Sequence, residues 1–153
     1  MNKTMASLLC TTTVLTSTYA IGSQNDATQS HASQIEQRQD AFTQVETLVE
    51  KANDTLDGNG TNWLALEETS LKLTTHSQAL LTLFPSGSQE GSKAKETIWS
   101  QPEKFNRLLG QMDQGFQELY RGSQSSDVSL AESGLEAAQD TCKSCHRSYR
   151  SRW

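Results

Sequence analysis

The chain has 153 residues, 34% of them hydrophobic, and a formal net charge of -5. This length suits one domain with a single buried core. The acidic balance argues against nucleic acid as a partner, because a phosphate-binding surface needs clustered Lys and Arg. The basic cluster that the sequence does offer is Arg147, Arg150 and Arg152.

Residues 1–20 are predicted to be a signal peptide. Lys3 provides a positive start, residues 5–15 form a short apolar run rich in Thr, and Thr18 and Ala20 are small residues where a signal peptidase reads. Because the run is too short to span a bilayer, we expect cleavage after Ala20 and export to the periplasm, with no membrane anchor. Cys10 lies inside the signal, and the leucines just before it argue against lipoprotein processing.

Residues 21–30 are polar and show no period, so a flexible lead-in is expected before a domain that spans residues 31–153. The first predicted helix follows, with Ser33 and Glu36 as a capping box at its start. Its apolar positions recur at helical spacing: Ile35, Phe42, Val45, Val49 and Ala52. Residues 57–60, with the sequence Asp-Gly-Asn-Gly, predict a turn after it.

The second helix is predicted from about residue 63 to residue 83, with Pro85 just beyond its end. Its inward positions are Trp63, Leu66, Leu73 and Leu80. A long loop with Gly87 and Gly91 then leads to Trp99. Loops of this length in small domains are usually functional or pack over something.

The third and fourth helices also begin with predicted capping boxes, formed by Ser100 with Glu103 and by Ser129 with Glu132. The third has Pro102 in its first turn, is expected to stop at Gly122, and shows an apolar stripe of Phe105, Leu108, Met112, Phe116 and Leu119. The stripe of the fourth is Ala131, Leu135, Ala138, Cys142, Cys145 and Tyr149. The prediction is an all-α, antiparallel up-down four-helix bundle.

The fourth helix contains Cys142-Lys143-Ser144-Cys145-His146. This Cys-x-x-Cys-His spacing is typical of covalent c-type haem attachment. Residues three apart share a helix face, so both thiols can reach one edge of a porphyrin while His146 offers an imidazole to the iron.

Two other interpretations of the cysteines are weaker. A thioredoxin-like dithiol is expected after a strand in a βαβ unit, and no strand pattern precedes Cys142. A structural zinc site needs a second pair of ligands, and the chain has no second Cys pair. Dithiol chemistry and metal binding remain as alternatives to haem.

Over residues 34–152 the chain resembles cytochrome c′, the class II c-type cytochromes. The resemblance rests on residues 38–42 (Arg-Gln-Asp-Ala-Phe), on Leu83-Phe84 before a Gly-rich loop into residues 98–100 (Ile-Trp-Ser), and on the haem motif followed by Tyr149-Arg150. Class I cytochromes c carry the motif near the N-terminus and use a Met downstream, whereas no Met follows His146 here.

The resemblance implies a site for one haem c. Cys142 and Cys145 would be its thioether anchors and His146 the proximal ligand of the iron. The remaining cofactor-binding residues that it implies are Arg38 and Gln39 at the propionates, Lys95 from the long loop, Arg150 over the proximal face, Phe42 at the distal apolar position, and Phe84 and Tyr149 in the pocket.

The expected coordination of the iron depends on Phe42. A Met at this position can become a sixth ligand, but Phe cannot. Met112 is expected to be core packing, His31 to lie in the lead-in and His76 at the surface, so we expect a five-coordinate iron.

An apolar distal face favours NO and CO over O2, which is stabilised by a hydrogen-bond donor. We therefore expect an NO-binding protein that buffers or detoxifies NO. The alternative is an electron-transfer cytochrome with an unknown redox partner. We do not expect an enzyme, because the sequence offers no distal acid–base pair for catalysis. The resemblance also implies a homodimer through the first two helices.

Overall fold

The computed structural model describes the backbone of residues 22–152 and the side chains of residues 31–152. The predicted signal peptide and Cys10 therefore lie outside the described residues. The described residues form five α-helices, α1 (Gly22–Thr55), α2 (Trp63–Leu80), α3 (Thr97–Ser100), α4 (Pro102–Ser125) and α5 (Val128–Tyr149), with a 3-10 helix (Gly58–Gly60) between the first two. The described residues contain no strand, only an isolated antiparallel bridge between Ala94 and Arg150. The all-α prediction is confirmed.

The four long helices form the predicted up-down bundle. Helix α1 packs on α2, α2 on α4 and α4 on α5, while the short α3 leans on the start of α4. Between the described parts of α1 and α5 there is no comparably close approach. The predicted inward positions Leu66, Leu73, Leu80, Phe116 and Leu119 are fully buried. Among these described helices, none is both long and apolar enough to cross a bilayer.

Helix α1 begins earlier than the sequence suggested. Residues 22–30 have helical backbone, so the prediction that they precede the first helix is wrong. That this segment is flexible stays a prediction. Ser33 is not an N-cap, and its Oγ instead accepts a hydrogen bond from Gln37 Nε2 at 3.0 Å. Elongating an existing helix costs little once its nucleus has formed, so a polar segment can join it without an apolar stripe.

The starts of α2 and α4 match the prediction in position. Asn62 caps α2, its Oδ1 accepting from the Ala65 N–H at 3.2 Å. Pro102 opens α4 as expected, but the N-cap is Gln101, without a side-chain cap bond, so the capping box of Ser100 and Glu103 is wrong. Ser100 is instead the last residue of α3.

The N-cap of α5 lies two residues before the predicted one. Asp127 is the N-cap, and its Oδ1 accepts from the Leu130 N–H at 3.0 Å, which replaces the predicted box of Ser129 and Glu132. A carboxylate also interacts favourably with the positive end of the helix dipole. Asp and Ser are both common N-cap residues, so the sequence alone does not decide between Asp127 and Ser129.

Two predicted helix ends are also corrected. Helix α2 ends at Leu80, not at residue 83, because residues 81–83 form turns. Helix α4 runs past Gly122 and ends at Ser125, and its C-cap Ser126 has a left-handed φ of 54°. Gly122 has a packing role instead: a Cβ there would lie 2.5 Å from the backbone nitrogen of Ala131 on α5.

Candidate functional site

Helix α5 presents two free thiols one turn apart. Cys142 and Cys145 are both half-buried, and neither forms a disulfide. Burial raises the pKa of the Cys145 thiol to about 11 and raises that of Cys142 as well. Dithiol oxidoreductases instead lower the pKa of their attacking thiol. Burial thus disfavours the thiolate form of this pair, unlike the attacking thiol of a dithiol oxidoreductase.

The C-terminal end of α5 is fastened to the long loop. The Lys95 N–H donates to the carbonyl oxygen of Tyr149 at 2.9 Å, and the Ser151 N–H donates to that of Lys93 at 2.8 Å. Tyr149 is buried, while the predicted ligand His146 is exposed. Two backbone hydrogen bonds thus join the loop to the end of the helix that carries the two thiols.

An aromatic wall crosses the bundle at this end. The rings of Phe42 and Phe84 meet edge-on at 6.4 Å between centroids. Phe84 meets Phe105 at 4.7 Å, and Phe105 meets Tyr149 at 5.2 Å. These contacts join α1, the long loop, α4 and α5, and Cys145 packs against the same core. Apolar aromatic faces of this kind suit a flat hydrophobic ligand.

Arg38 is buried, with 3% of its surface exposed. Its guanidinium donates to the carbonyl oxygen of Leu83 at 3.1 Å, and to the Oγ and carbonyl oxygen of Ser88 at 2.8 and 2.6 Å. It also stacks over Phe84, 4.7 Å from the ring centroid. Burial lowers its pKa, but an arginine remains charged.

No carboxylate of the described residues balances this charge. The two ion pairs among the described residues are Lys72–Glu68 and Arg121–Glu118, and neither involves Arg38. A buried cation is stabilised by an anionic partner, and the loop oxygens supply only dipoles. Arg38 is therefore suited to meet the acidic group of a ligand.

The predicted site residues Gln39, Lys95 and Arg150 are less buried than Arg38. Gln39 and Arg150 are exposed, and Lys95 is partly exposed, its Nζ donating to the Arg147 carbonyl oxygen at 3.1 Å. The structure thus brings together Arg38, Phe42, Phe84 and Tyr149, and leaves Gln39, His146 and Arg150 exposed.

The alternative iron ligands have different surroundings. Met112 is a core residue, 4% exposed, as expected for packing. His31 was expected in a frayed lead-in, but it is a half-buried residue of α1. A Cβ added to Gly87, whose φ is 89°, would lie 2.9 Å from the His31 ring. His76 was expected at the surface and is half-buried on α2.

Two residues of the site had not been predicted. Ser88 is fully buried and accepts from Arg38. Trp99 belongs to the segment that resembles the family, and its Nε1 donates to the carbonyl oxygens of Phe84 and Pro85 at 3.2 and 2.8 Å. A buried arginine needs acceptors, but nothing in the sequence indicates which loop residue supplies them.

The chemistry of these donors fits a c-type haem. Free thiols at Cys142 and Cys145 suit two vinyl groups, the aromatic wall suits a porphyrin face, and the unbalanced charge of Arg38 suits a propionate. Within residues 31–152 no three His, Cys, Asp or Glu side chains gather into a metal-binding group.

Comparisons with known proteins agree with this chemistry. A family model described as Cytochrome C' matches residues 33–150. No curated protein matches the chain.

Solved structures with the same fold include cytochrome c′ from Thermochromatium tepidum, 18% identical with a TM-score of 0.71 over 79% of this chain and 96% of that one. Cytochrome c′ from Shewanella frigidimarina is 22% identical, with a TM-score of 0.71 over 79% and 96% of the two chains. A third is a cytochrome c′ with an unusual ligand-controlled dimer dissociation, 17% identical, with a TM-score of 0.70 over 80% and 97%.

The match to the family model covers the haem motif and all four long helices except the first part of α1. This chain belongs to the cytochrome c′ family and is a c-type haem protein.

Proposed function

We propose that the chain is a periplasmic cytochrome c′ that carries one covalent haem c with a five-coordinate, high-spin iron, and that it binds NO and CO for buffering or detoxification of NO. When bound, the haem supplies an iron that coordinates diatomic gases and exchanges single electrons. The observation that carries the proposal is the pair of free thiols on α5 beside an aromatic wall that includes Phe42.

The anchoring role is assigned to the thiols and the adjacent histidine. Cys142 and Cys145 would hold the cofactor covalently, and His146 would be the protein ligand of the iron. Their places on one helix support this, since positions 142 and 145 share a face and His146 lies next to it. We assign Arg38, with Gln39 and Lys95, to the propionates and Arg150 to the proximal side.

Ligand selectivity is assigned to the distal residues. Phe42 and Phe84 contact each other edge-on, and neither side chain can donate a hydrogen bond or ligate iron. NO and CO need no donor, whereas bound O2 is stabilised by one. An apolar face therefore favours NO and CO and excludes water.

Spectroscopy of the purified holoprotein tests this assignment. We expect absorption and resonance Raman markers of five-coordinate, high-spin iron, and stoichiometric binding of NO and CO. Cys142→Ser and Cys145→Ser should each remove one thioether bond, and the double variant should release haem on denaturation. Haem that stays attached to the denatured double variant would contradict the assigned anchors.

Electron transfer is the second candidate function. Helix α5 leaves His146 exposed and both cysteines half-exposed, which would bring an edge of the cofactor close to the surface. A low-spin, six-coordinate iron in the same spectra would favour the electron carrier over the gas-binding protein.

Location and assembly complete the proposal. The family is generally periplasmic, and we assign export to residues 1–20, so that N-terminal sequencing of the mature protein should begin near Ile21. We also propose a homodimer through α1 and α2. The exposed side chains of Leu64 and Leu71 on α2 support that interface.

A further inference from the structure

The structure gathers basic residues that are distant in the sequence into one surface, here called the basic rim. It combines the end of α5 and the residues just after it with the loop before α3. Its members are Lys93, Lys95, Lys143, Arg147, Arg150 and Arg152.

Hydrogen bonds hold the two parts of the rim together. Ser151 donates its N–H to Lys93, Lys95 donates its N–H to Tyr149, and the Lys95 ammonium donates to the Arg147 carbonyl oxygen at 3.1 Å. Lys143 and Arg147 are one turn apart on α5 and both are exposed. The loop cations are thus fixed next to the helix cations by the fold.

No carboxylate of the described residues forms an ion pair with the rim, since the two ion pairs found there, Lys72–Glu68 and Arg121–Glu118, do not involve it. Lys95 and Arg150 also belong to the proposed haem site, so Lys93, Lys143, Arg147 and Arg152 are the rim cations left for a partner. The whole chain has 13 Lys and Arg and 18 Asp and Glu, so removing six rim cations leaves 7 against 18, a charge of -11 elsewhere. Unpaired like charges in one place repel each other, and an acidic partner would relieve that repulsion.

We propose that the basic rim is a docking surface for an acidic protein. A positive patch on an otherwise acidic molecule orients it during encounter, so that this end meets a negative patch on the partner. The partner would then lie beside Cys142 and His146. The proposal goes beyond gas binding and does not depend on which ligand the iron takes.

An anionic membrane is the less favoured occupant. Membrane-surface binding commonly adds apolar side chains to the basic ones. The large exposed hydrophobic residues of the described chain are Leu64, Leu71 and Leu81, which lie on or just after α2 and not in the rim. The rim therefore has the composition of a protein-docking surface.

Binding of flavodoxin, an acidic redox protein, to the holoprotein provides the test. The rim variant is Lys93→Glu/Arg147→Glu, and the matched control is Lys51→Glu/Arg121→Glu, which has the same change in formal charge at exposed positions outside the rim. Titration calorimetry at ~10 mM ionic strength, where the Debye length is about 30 Å, maximises the effect. Unchanged absorption spectra of both variants show that haem attachment is intact.

We expect the rim variant to bind flavodoxin about tenfold or more weakly, and the control to change by about twofold or less. Equal weakening in both variants would overturn the proposal, because net charge alone would explain it. Absence of wild-type binding would also overturn it. Stronger wild-type binding to phosphatidylglycerol vesicles than to flavodoxin would show a membrane surface instead. A low-spin iron would contradict the proposed coordination but leave this result unaffected.

Discussion

The guanidinium of Arg38 donates to both the hydroxyl and the carbonyl oxygen of Ser88, at 2.8 and 2.6 Å. This double contact fastens α1 to the long loop. Arg38 also stacks on Phe84, so the same side chain fixes the ring that meets Phe42. The position of the aromatic wall therefore depends on a polar contact behind it.

The first prediction concerns this contact. Ser88→Ala should lower the free energy of unfolding by about 1.5–3 kcal/mol, because it removes a buried hydrogen bond to a charged group. Denaturation of the haem-loaded protein by guanidinium chloride, followed by far-UV circular dichroism, measures the change. Ser86→Ala, an exposed serine of the same loop, is the control and should stay within about 0.5 kcal/mol. Equal effects of the two substitutions would show that the Ser88 hydroxyl does not stabilise the loop.

The second prediction concerns the close approach of α4 and α5. A Cβ at Gly134 would collide with the backbone nitrogen of Leu119, and one at Gly115 would lie 2.7 Å from the Ala138 nitrogen. Backbone atoms cannot move aside as a flexible side chain can, so Gly134→Ala should cost about 2–4 kcal/mol of unfolding free energy.

Gly110→Ala is the matched control for this helix pair. No atom lies within 4 Å of a Cβ at Gly110, which is also inside a helix. This change should stabilise the protein by up to about 1 kcal/mol through helix propensity. Thermal unfolding of both variants gives the comparison, and a harmless Gly134→Ala would contradict the tight packing.

The third prediction concerns Phe42. If its ring covers the open face of the iron, Phe42→Ala should speed CO association and keep the haem attached. Phe42→Met should shift part of the iron from high to low spin, because a thioether can ligate where an aromatic ring cannot. Flash photolysis of the CO complex and resonance Raman spectra measure these effects. Unchanged CO rates and spin state in both variants would show that Phe42 is not distal.

The fourth prediction concerns assembly. Leu64 is 81% exposed and Leu71 is 48% exposed. Leu64→Ser/Leu71→Ser should therefore weaken the proposed dimer and change the stability of the monomer by less than about 1 kcal/mol. Sedimentation velocity over a concentration series measures the dimer. Gln111→Ser, at an exposed position of α4, should leave it unchanged. A monomeric wild type at all concentrations would rule out the interface.

Periodicity determined the bundle from the sequence alone. The spacing of Leu66, Leu73 and Leu80, and of Phe116 and Leu119, predicted which faces are buried, because an amphipathic helix has few other ways to remove apolar surface from water. The Cys-x-x-Cys-His spacing likewise indicated the cofactor class without coordinates, since it is a local pattern on a single helix.

Tertiary structure decided what depends on distant residues. Gly122 predicts a helix end in the sequence, but α4 continues through it. The glycine is needed there because α5 approaches so closely that no side chain fits. Ser88 lies 50 positions from Arg38 and became its partner only when the loop folded back over α1. The basic rim is partly of the same kind: the sequence shows the cluster of Arg147, Arg150 and Arg152, but hydrogen bonds between the loop and the end of α5 decide that Lys93 and Lys95 lie beside it.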